Sequence, residues 1–222
     1  MAKPFSWSFS KLKNFETCPW RHKQVDLEQN FSDEGGEALT WGNAVHKSLA
    51  AALTDGTPLP DEMSDLQKWV DKVRDGPGEL LVEQKYAITK DFKKTTWFGN
   101  NAWYRGIGDV VRIAGPVALI VDWKTGKIKV DSVQLALMSQ CIFSHYPDVK
   151  KVRSEFIWLA EDCTTPEVWD KESLADAWPG LLDRVAVMET AYVTQNYQPK
   201  PGKLCRSWCP VKTCQHNGKA HG

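Results

Sequence analysis

The apolar positions of the chain alternate between helical and strand-like periods. From Ser8 to Val25, Phe9, Leu12, Phe15 and Trp20 recur at helical spacing, Ser8 stands where a cap belongs, and Pro19 closes the helix after Cys18. A polar stretch with two glycines, Asn30 to Glu37, leads into an amphipathic helix from about Leu39 through Ala52, with Val45, Leu49 and Leu53 on one stripe and His46 beside it. A third helix spans roughly Pro60 to Arg74 and is broken by Asp75-Gly76-Pro77-Gly78. Glu79 to Ile88 alternates as a strand carrying Glu83, and the polar, basic run Lys90 to Asn101 predicts an exposed loop. Two β-branched runs, Ile107 to Ile113 and Val117 to Val121, flank Gly115-Pro116 and predict a hairpin. Between Asp131 and Tyr146 apolar residues almost encircle a helix, which must therefore be buried against the sheet. Lys151 to Ala160 predicts another strand, paired with a short strand from Glu167 to Asp170 across a turn at Asp162 to Pro166, before a long helix from about Lys171 to Gln195.

The hairpin carries the chemistry. A turn centred on Gly115-Pro116 sets Asp109 opposite Asp122, while Asp122 and Lys124, two apart, share a face. Like charges facing each other on a sheet are unfavourable unless a cation lies between them or one carboxyl is neutral. Both aspartates lie inside apolar strands, where an unpaired charge is costly, so a metal-binding role outweighs that of solvated carboxylates. His46, taken alone, reads as a satisfied helix histidine, and Glu83 as either a supplementary carboxylate or an ordinary strand residue. Gln134, in the first turn of its helix, either caps it or faces solvent; the basic, aromatic segment Lys90 to Arg105 is a solvated charge run or a nucleic-acid-facing loop.

Composition narrows the classes. With 222 residues, 42% hydrophobic and 25% charged, the chain can bury a full core as one large domain or one domain with an appendage. Lysine plus arginine balances aspartate plus glutamate at 28 each, so a nucleic-acid surface would have to be a local patch. The start, MAKPFSWSFSKLKNF, lacks a signal-like apolar stretch, and no run reaches membrane-span length, which predicts a cytoplasmic protein. Eleven tryptophans are scattered without a fixed period, which excludes a solenoid.

Asn196 to Gly222 has no apolar core, yet holds three of six cysteines as Cys205-x3-Cys209-x4-Cys214. In a cytosolic chain such clustering points to metal ligation rather than disulfides. The fourth ligand is then His216, nearest in sequence, or Cys18, the chemically matched alternative at its helix end. Cys141 and Cys163 read as structural or incidental.

Taken in order, Cys18-Pro19, Gly42-x3-His46, Gly108-Asp109, Asp122-Trp123-Lys124-Thr125-Gly126, Gln134 and the terminal cysteines resemble the RecB-like branch of the PD-(D/E)XK nucleases. More narrowly, the set is similar to the iron–sulfur exonucleases associated with CRISPR adaptation and their small phage-encoded relatives. The resemblance implies a 4Fe-4S cluster on Cys18, Cys205, Cys209 and Cys214, with structural Zn2+ as the alternative, since the family's C-x2-C-x5-C becomes C-x3-C-x4-C here. The family's tyrosine position, four residues after the glutamine, is held by Met138.

The resemblance further implies Mg2+ or Mn2+ on Asp109 and Asp122, with His46 and the Trp123 main-chain carbonyl as further ligands, and Glu83 as a supplementary one. Lys124 would position or deprotonate the attacking water, or stabilise the transition state, and Gln134 would contact the scissile phosphate region. The fold expected is α/β, a mixed central sheet flanked by helices in a restriction-endonuclease-like core, with the cysteine-ligated cluster joining the N- and C-terminal segments. Residues 1–195 would form the nuclease domain, with an N-terminal helical part over about 8–75, and 196–222 a tail packing back on the first helix through Cys18. The expected activity is metal-dependent DNA exonucleolysis at single-stranded or frayed ends, in a bacterial or phage-infected cell. The alternatives are a structure-selective endonuclease and a non-catalytic DNA-binding protein with the same fold.

Overall fold

The computed structural model describes residues 4–33, 35–129 and 131–218, so residues 219–222 of the cysteine-bearing tail lie outside the described residues. By their internal contacts the residues form two compact units, one of residues 36–178 and one of residues 1–35 with 179–222. Among the described residues, no helix is long and apolar enough to cross a membrane.

The larger unit is built on a six-stranded mixed sheet in the order β2-β1-β3-β4-β5-β6. Its strands are β1 (Glu79–Ile88), β2 (Lys94–Thr95), β3 (Tyr104–Ala114), β4 (Val117–Lys124), β5 (Lys151–Trp158) and β6 (Cys163–Trp169). All neighbours are antiparallel except β4 and β5, which α5 (Ser132–His145) connects in parallel. One face is covered by α3 (Glu37–Thr54), a 3-10 turn (Asp61–Leu66) and α4 (Gln67–Arg74), whose Val45, Leu49, Met63 and Val70 join Val110, Val121, Trp123 and Ile157 in one core. The other face meets α5, where Leu135 packs with Phe156 and Trp158. Helix α5 is buried through the stretch Leu135 to Ser139 because it crosses the sheet, as its all-round apolar pattern requires.

The hairpin register is the expected one: Ala114 pairs with Val117, Arg112 with Leu119 and Val110 with Val121. The ladder ends there, so Asp109 and Asp122 stand one step beyond its last pair. Three other expectations shift. A short strand, β2, lies within the run 90–101 read as loop. Strand β6 begins at Cys163 rather than Glu167, with Pro166 inside it, which an edge strand tolerates because no further neighbour needs the missing N–H. The long final helix is two helices, α6 (Lys171–Ala175), capped by the Asp170 carboxylate on Ser173 N–H at 2.8 Å, and α7 (Trp178–Thr194). Pro179 enforces that break, since proline has no N–H to give an i−4 carbonyl and fits only a first turn.

In the smaller unit, α1 (Phe9–Thr17) is capped by Ser8, whose Oγ accepts the Lys11 N–H at 3.3 Å. Pro19 does not simply close that helix; it is the first residue of α2 (Pro19–His22), which runs on into a π-helical turn, Lys23–Leu27. Cys18 thus sits in extended conformation at the junction of two helices. The tail is pinned by the buried Asn217, whose amide donates to the carbonyls of Cys209 and Val211, each at 3.0 Å.

Candidate active site

The sheet changes facing in the middle of β1 and β3. Val82 and Val110 pack toward α3 and α4, yet a Cβ on Gly108 would lie 3.2 Å from Met138 of α5, and Tyr86 sets its ring 5.1 Å from that of His145 on α5. Residues two apart on a regular strand share a face, so both strands invert between these positions. The residues at the inversion are Glu83 and Asp109. They lie opposite each other between the pairs Val82 with Val110 and Gln84 with Gly108, with no residue inserted on either strand. Glu83 has φ of 50°, an uncommon backbone for a non-glycine residue and costly within a strand, by roughly 1–3 kcal/mol.

That break brings side chains together. Glu83, Asp109 and His46 of α3 each offer a ligand atom, and these atoms lie within 4.8 Å of one another. Helix α3 can come this close because Gly42 lacks a side chain: a Cβ there would lie 3.1 Å from Thr125 Oγ1, just past β4. His46 Nε2 donates to the Trp123 carbonyl at 3.1 Å, and its Nδ1 stands 3.4 Å from Asp109 Oδ2. Asp109 Oδ2 also accepts the Trp123 N–H at 2.9 Å, a side chain standing in for the ladder where pairing has stopped.

Beside this group lies a second one. Asp122 is buried, and Lys124 Nζ lies 2.6 Å from its Oδ2, a close ion pair. Gln134 of α5 bridges the pair: its Nε2 donates to Asp122 Oδ1 at 2.5 Å and its Oε1 accepts from Lys124 Nζ at 2.9 Å. The ammonium also stands 4.9 Å above the Phe156 ring.

The electrostatics follow from placement. Burial, and then the charge of Asp109, push the Asp122 carboxyl up to about 6, against the pull of Lys124 and His46. Partial burial and then Asp109 also raise Glu83. Burial pulls His46 down, but its hydrogen bond to Asp109 and the charges of Asp109, Asp122 and Glu83 outweigh it and hold it raised. The site is therefore rich in negative charge and short of cations.

Every expected residue of the hairpin site is found here, arranged differently from the simplest picture. Asp109 groups most tightly with His46 and Glu83, while the Asp122 carboxylate is engaged by Lys124 and Gln134. The carboxylate that sequence reasoning weighted least, Glu83, belongs to the tightest cluster. Met138 is a buried residue beneath Gly106 and Gly108. In the smaller unit Cys18, Cys205, Cys209 and Cys214 line one cavity of about 180 Å3, with His216 at its wall. Lys200 N–H and Gly202 N–H donate to the sulfurs of Cys18 and Cys205, each at 3.4 Å.

A family model for the PD-(D/E)XK nuclease superfamily matches residues 6–214. The chain belongs to that superfamily. Among solved structures, a candidate exonuclease from Eubacterium rectale is 15% identical with a TM-score of 0.55, the match covering 90% of this chain and 85% of that one. That similarity shows a shared fold. The structure of SSO0001 is 10% identical with a TM-score of 0.46, covering 98% and 89% of the two chains. No curated protein matches the chain. Membership makes the chain a nuclease with DNA as its substrate class.

Proposed function

We propose that the protein is a DNA exonuclease of the RecB-like branch that works with Mg2+ or Mn2+ on single-stranded or frayed ends. The observation that carries the catalytic part is the convergence of His46, Glu83 and Asp109 within 4.8 Å at a break in the sheet, next to the buried Asp122 with its Lys124 partner. Carboxylates and an imidazole facing one another favour a cation between them, and oxygen with imidazole suits Mg2+ or Mn2+. Asp109, Asp122, Glu83, His46 and the Trp123 carbonyl would hold it.

When bound, such a cation neutralises charge developing on the phosphoryl oxygens. The chain's own groups supply the rest. Lys124 brings a positive charge to the same place, where it stabilises the pentacoordinate transition state and orients the attacking water. Gln134 fixes the ammonium through Oε1 and Asp122 through Nε2, so that neither is free to swing away. A positioning role for Gln134 replaces the capping alternative, because its side chain is spent on these two groups.

The cysteine set supports a structural iron–sulfur cluster, which would close nearly the whole chain into a loop and so restrict its unfolded ensemble. Tetrahedral zinc with bonds of 2.3 Å needs sulfurs about 3.8 Å apart. Cys18, Cys205, Cys209 and Cys214 line one cavity of about 180 Å3, which has room for an inorganic core larger than a single zinc ion. Backbone N–H groups aimed at two sulfurs are the hydrogen bonds that thiolate ligands of such a core accept.

The test is release of nucleotides from end-labelled DNA in Mg2+ or Mn2+, with circular single-stranded DNA alongside. Release from linear DNA with the circle intact is expected. Cleavage of the circle overturns the exonuclease assignment, and no cleavage of either overturns the nuclease. Iron, sulfide and zinc analysis after anaerobic purification tests the cluster, and one equivalent of zinc without iron overturns it.

A further inference from the structure

Beyond the inversion at Glu83 and Asp109, strands β1 and β3 continue as a ribbon whose two faces differ. One face, with Tyr86, Gly106 and Gly108, lies against α5. The other carries the cross-strand pair Lys85 and Ile107, both exposed, and then Arg105 opposite Ala87. By strand alternation this is the face on which His46 meets Asp109. The run 96–103 after β2 then bends over the ribbon. Arg105 Nε donates to the Trp97 carbonyl at 2.6 Å, and Lys85 Nζ stands 5.6 Å from the Trp97 ring centroid.

At the tip of that run is Phe98, 88% exposed. The turn that presents it is tightly bonded: Gly99 N–H donates to the Thr96 carbonyl at 2.9 Å, Ala102 N–H to the Gly99 carbonyl at 3.0 Å, and Thr95 Oγ1 to Asn101 Oδ1 at 2.6 Å. A Cβ at position 99 would lie 2.6 Å from Thr95 Oγ1, so glycine is what lets the turn close. A phenyl ring held almost wholly in water on an ordered turn, with an indole, an ammonium and a guanidinium behind it, has the components of a stacking platform with phosphate partners. From Arg105 to Asp109 the strand advances about 14 Å, roughly four stacked nucleotides at 3.4 Å each.

We propose that this open face, from Phe98 and Trp97 past Arg105, Lys85 and Ile107 to Asp109, is the track on which single-stranded DNA reaches the site. Bases stack on Phe98 and Trp97, and the backbone runs over Lys85 and Arg105. The neutral net charge of the chain agrees with a local track rather than a broad basic surface. The proposal rests on the nuclease reading, since it takes the Asp109 end of the ribbon as the place where the strand is cut.

Equilibrium binding separates the two. Fluorescence anisotropy of a short labelled oligothymidylate is measured in EDTA, so that affinity is read without hydrolysis. Phe98→Ala is expected to weaken binding roughly 5- to 150-fold, with Phe98→Trp restoring it. Lys85→Ala is expected to reduce the slope of log affinity against log salt by about 0.7. Phe98 is too exposed for its truncation to unfold the protein, and thermal melting of each variant checks this. Binding by Phe98→Ala as tight as wild type overturns the track, as does a duplex of the same length binding better than the single strand. Hydrolysis by the wild type in Mn2+, measured in parallel, reports on the nuclease reading alone: cleavage together with unchanged Phe98→Ala affinity removes the track and leaves the nuclease standing.

Discussion

Replacing Asp122 by Asn should cost the enzyme its activity while stabilising the metal-free fold, and the stabilisation should depend on pH. The Asp122 carboxyl rises from an ordinary 3.8 to about 6, because burial and the neighbouring Asp109 charge penalise its ionised form. A carboxyl raised in the folded state holds its proton more tightly there than in the unfolded chain. The stability it confers is therefore fully present below about 3.8 and is lost as pH rises through about 6. Linkage with these two values puts the penalty at about 3 kcal/mol at pH 7.5 and a little over half of that at pH 5. Asparagine keeps the shape and an acceptor for Gln134 but does not titrate. The pull of Lys124 on the ionised carboxylate is already contained in the value of about 6, so it belongs to the same pH-dependent difference. Chemical denaturation of both proteins in EDTA at pH 5 and 7.5 therefore isolates the titration as a double difference. Asp122→Asn should gain on wild type by on the order of 1 kcal/mol between pH 5 and 7.5, which is about 2–4 °C in Tm for a chain of this size. A wild-type-minus-variant difference that is flat with pH, or that moves the other way, would refute a buried, cation-demanding carboxylate at Asp122.

Gln134→Ala should lower kcat by about 10²-fold with little change in KM, because Lys124 and Asp122 both lose the group that fixes them; single-turnover hydrolysis reads this, and an unchanged rate removes the positioning role. Gly108→Ala should destabilise the fold by about 1–3 kcal/mol in urea denaturation, since its Cβ would lie 2.8 Å from Val111 Cγ2 on a buried, β-branched side chain; a neutral effect would mean that the strands relax freely at the inversion.

Much of this architecture could be read from residue periodicity, because most helices bury one stripe and the hairpin has its turn written as Gly115-Pro116. That turn fixed the register by symmetry, and with it the approach of Asp109 to Asp122. The inversion at Glu83 and Asp109 could not be read. Alternation assumes a regular strand, and nothing in Val82-Glu83-Gln84 marks a glutamate at positive φ. Its one trace is Gly108, whose missing side chain makes room for Val111 and Met138, and which pattern reading treats only as part of a motif. The same limit hid the weight of Glu83: its role depends on a tertiary meeting with His46 from a distant helix. Pro166 and Pro19 misled for a related reason. Proline marks where a hydrogen bond is missing, and the tertiary arrangement decides whether that place is a turn, an edge strand or a first helical turn.

The central claim is that the carboxylates at the strand inversion hold a catalytic cation. Crystals of the protein soaked in Mn2+, with anomalous scattering used to locate the ion, test it most directly. The account predicts a peak in coordination range of Asp109 and Asp122, with His46 and the Trp123 carbonyl turned toward it and their mutual hydrogen bond broken. A protein that cleaves DNA but places its Mn2+ away from Asp109 and Asp122 would contradict it.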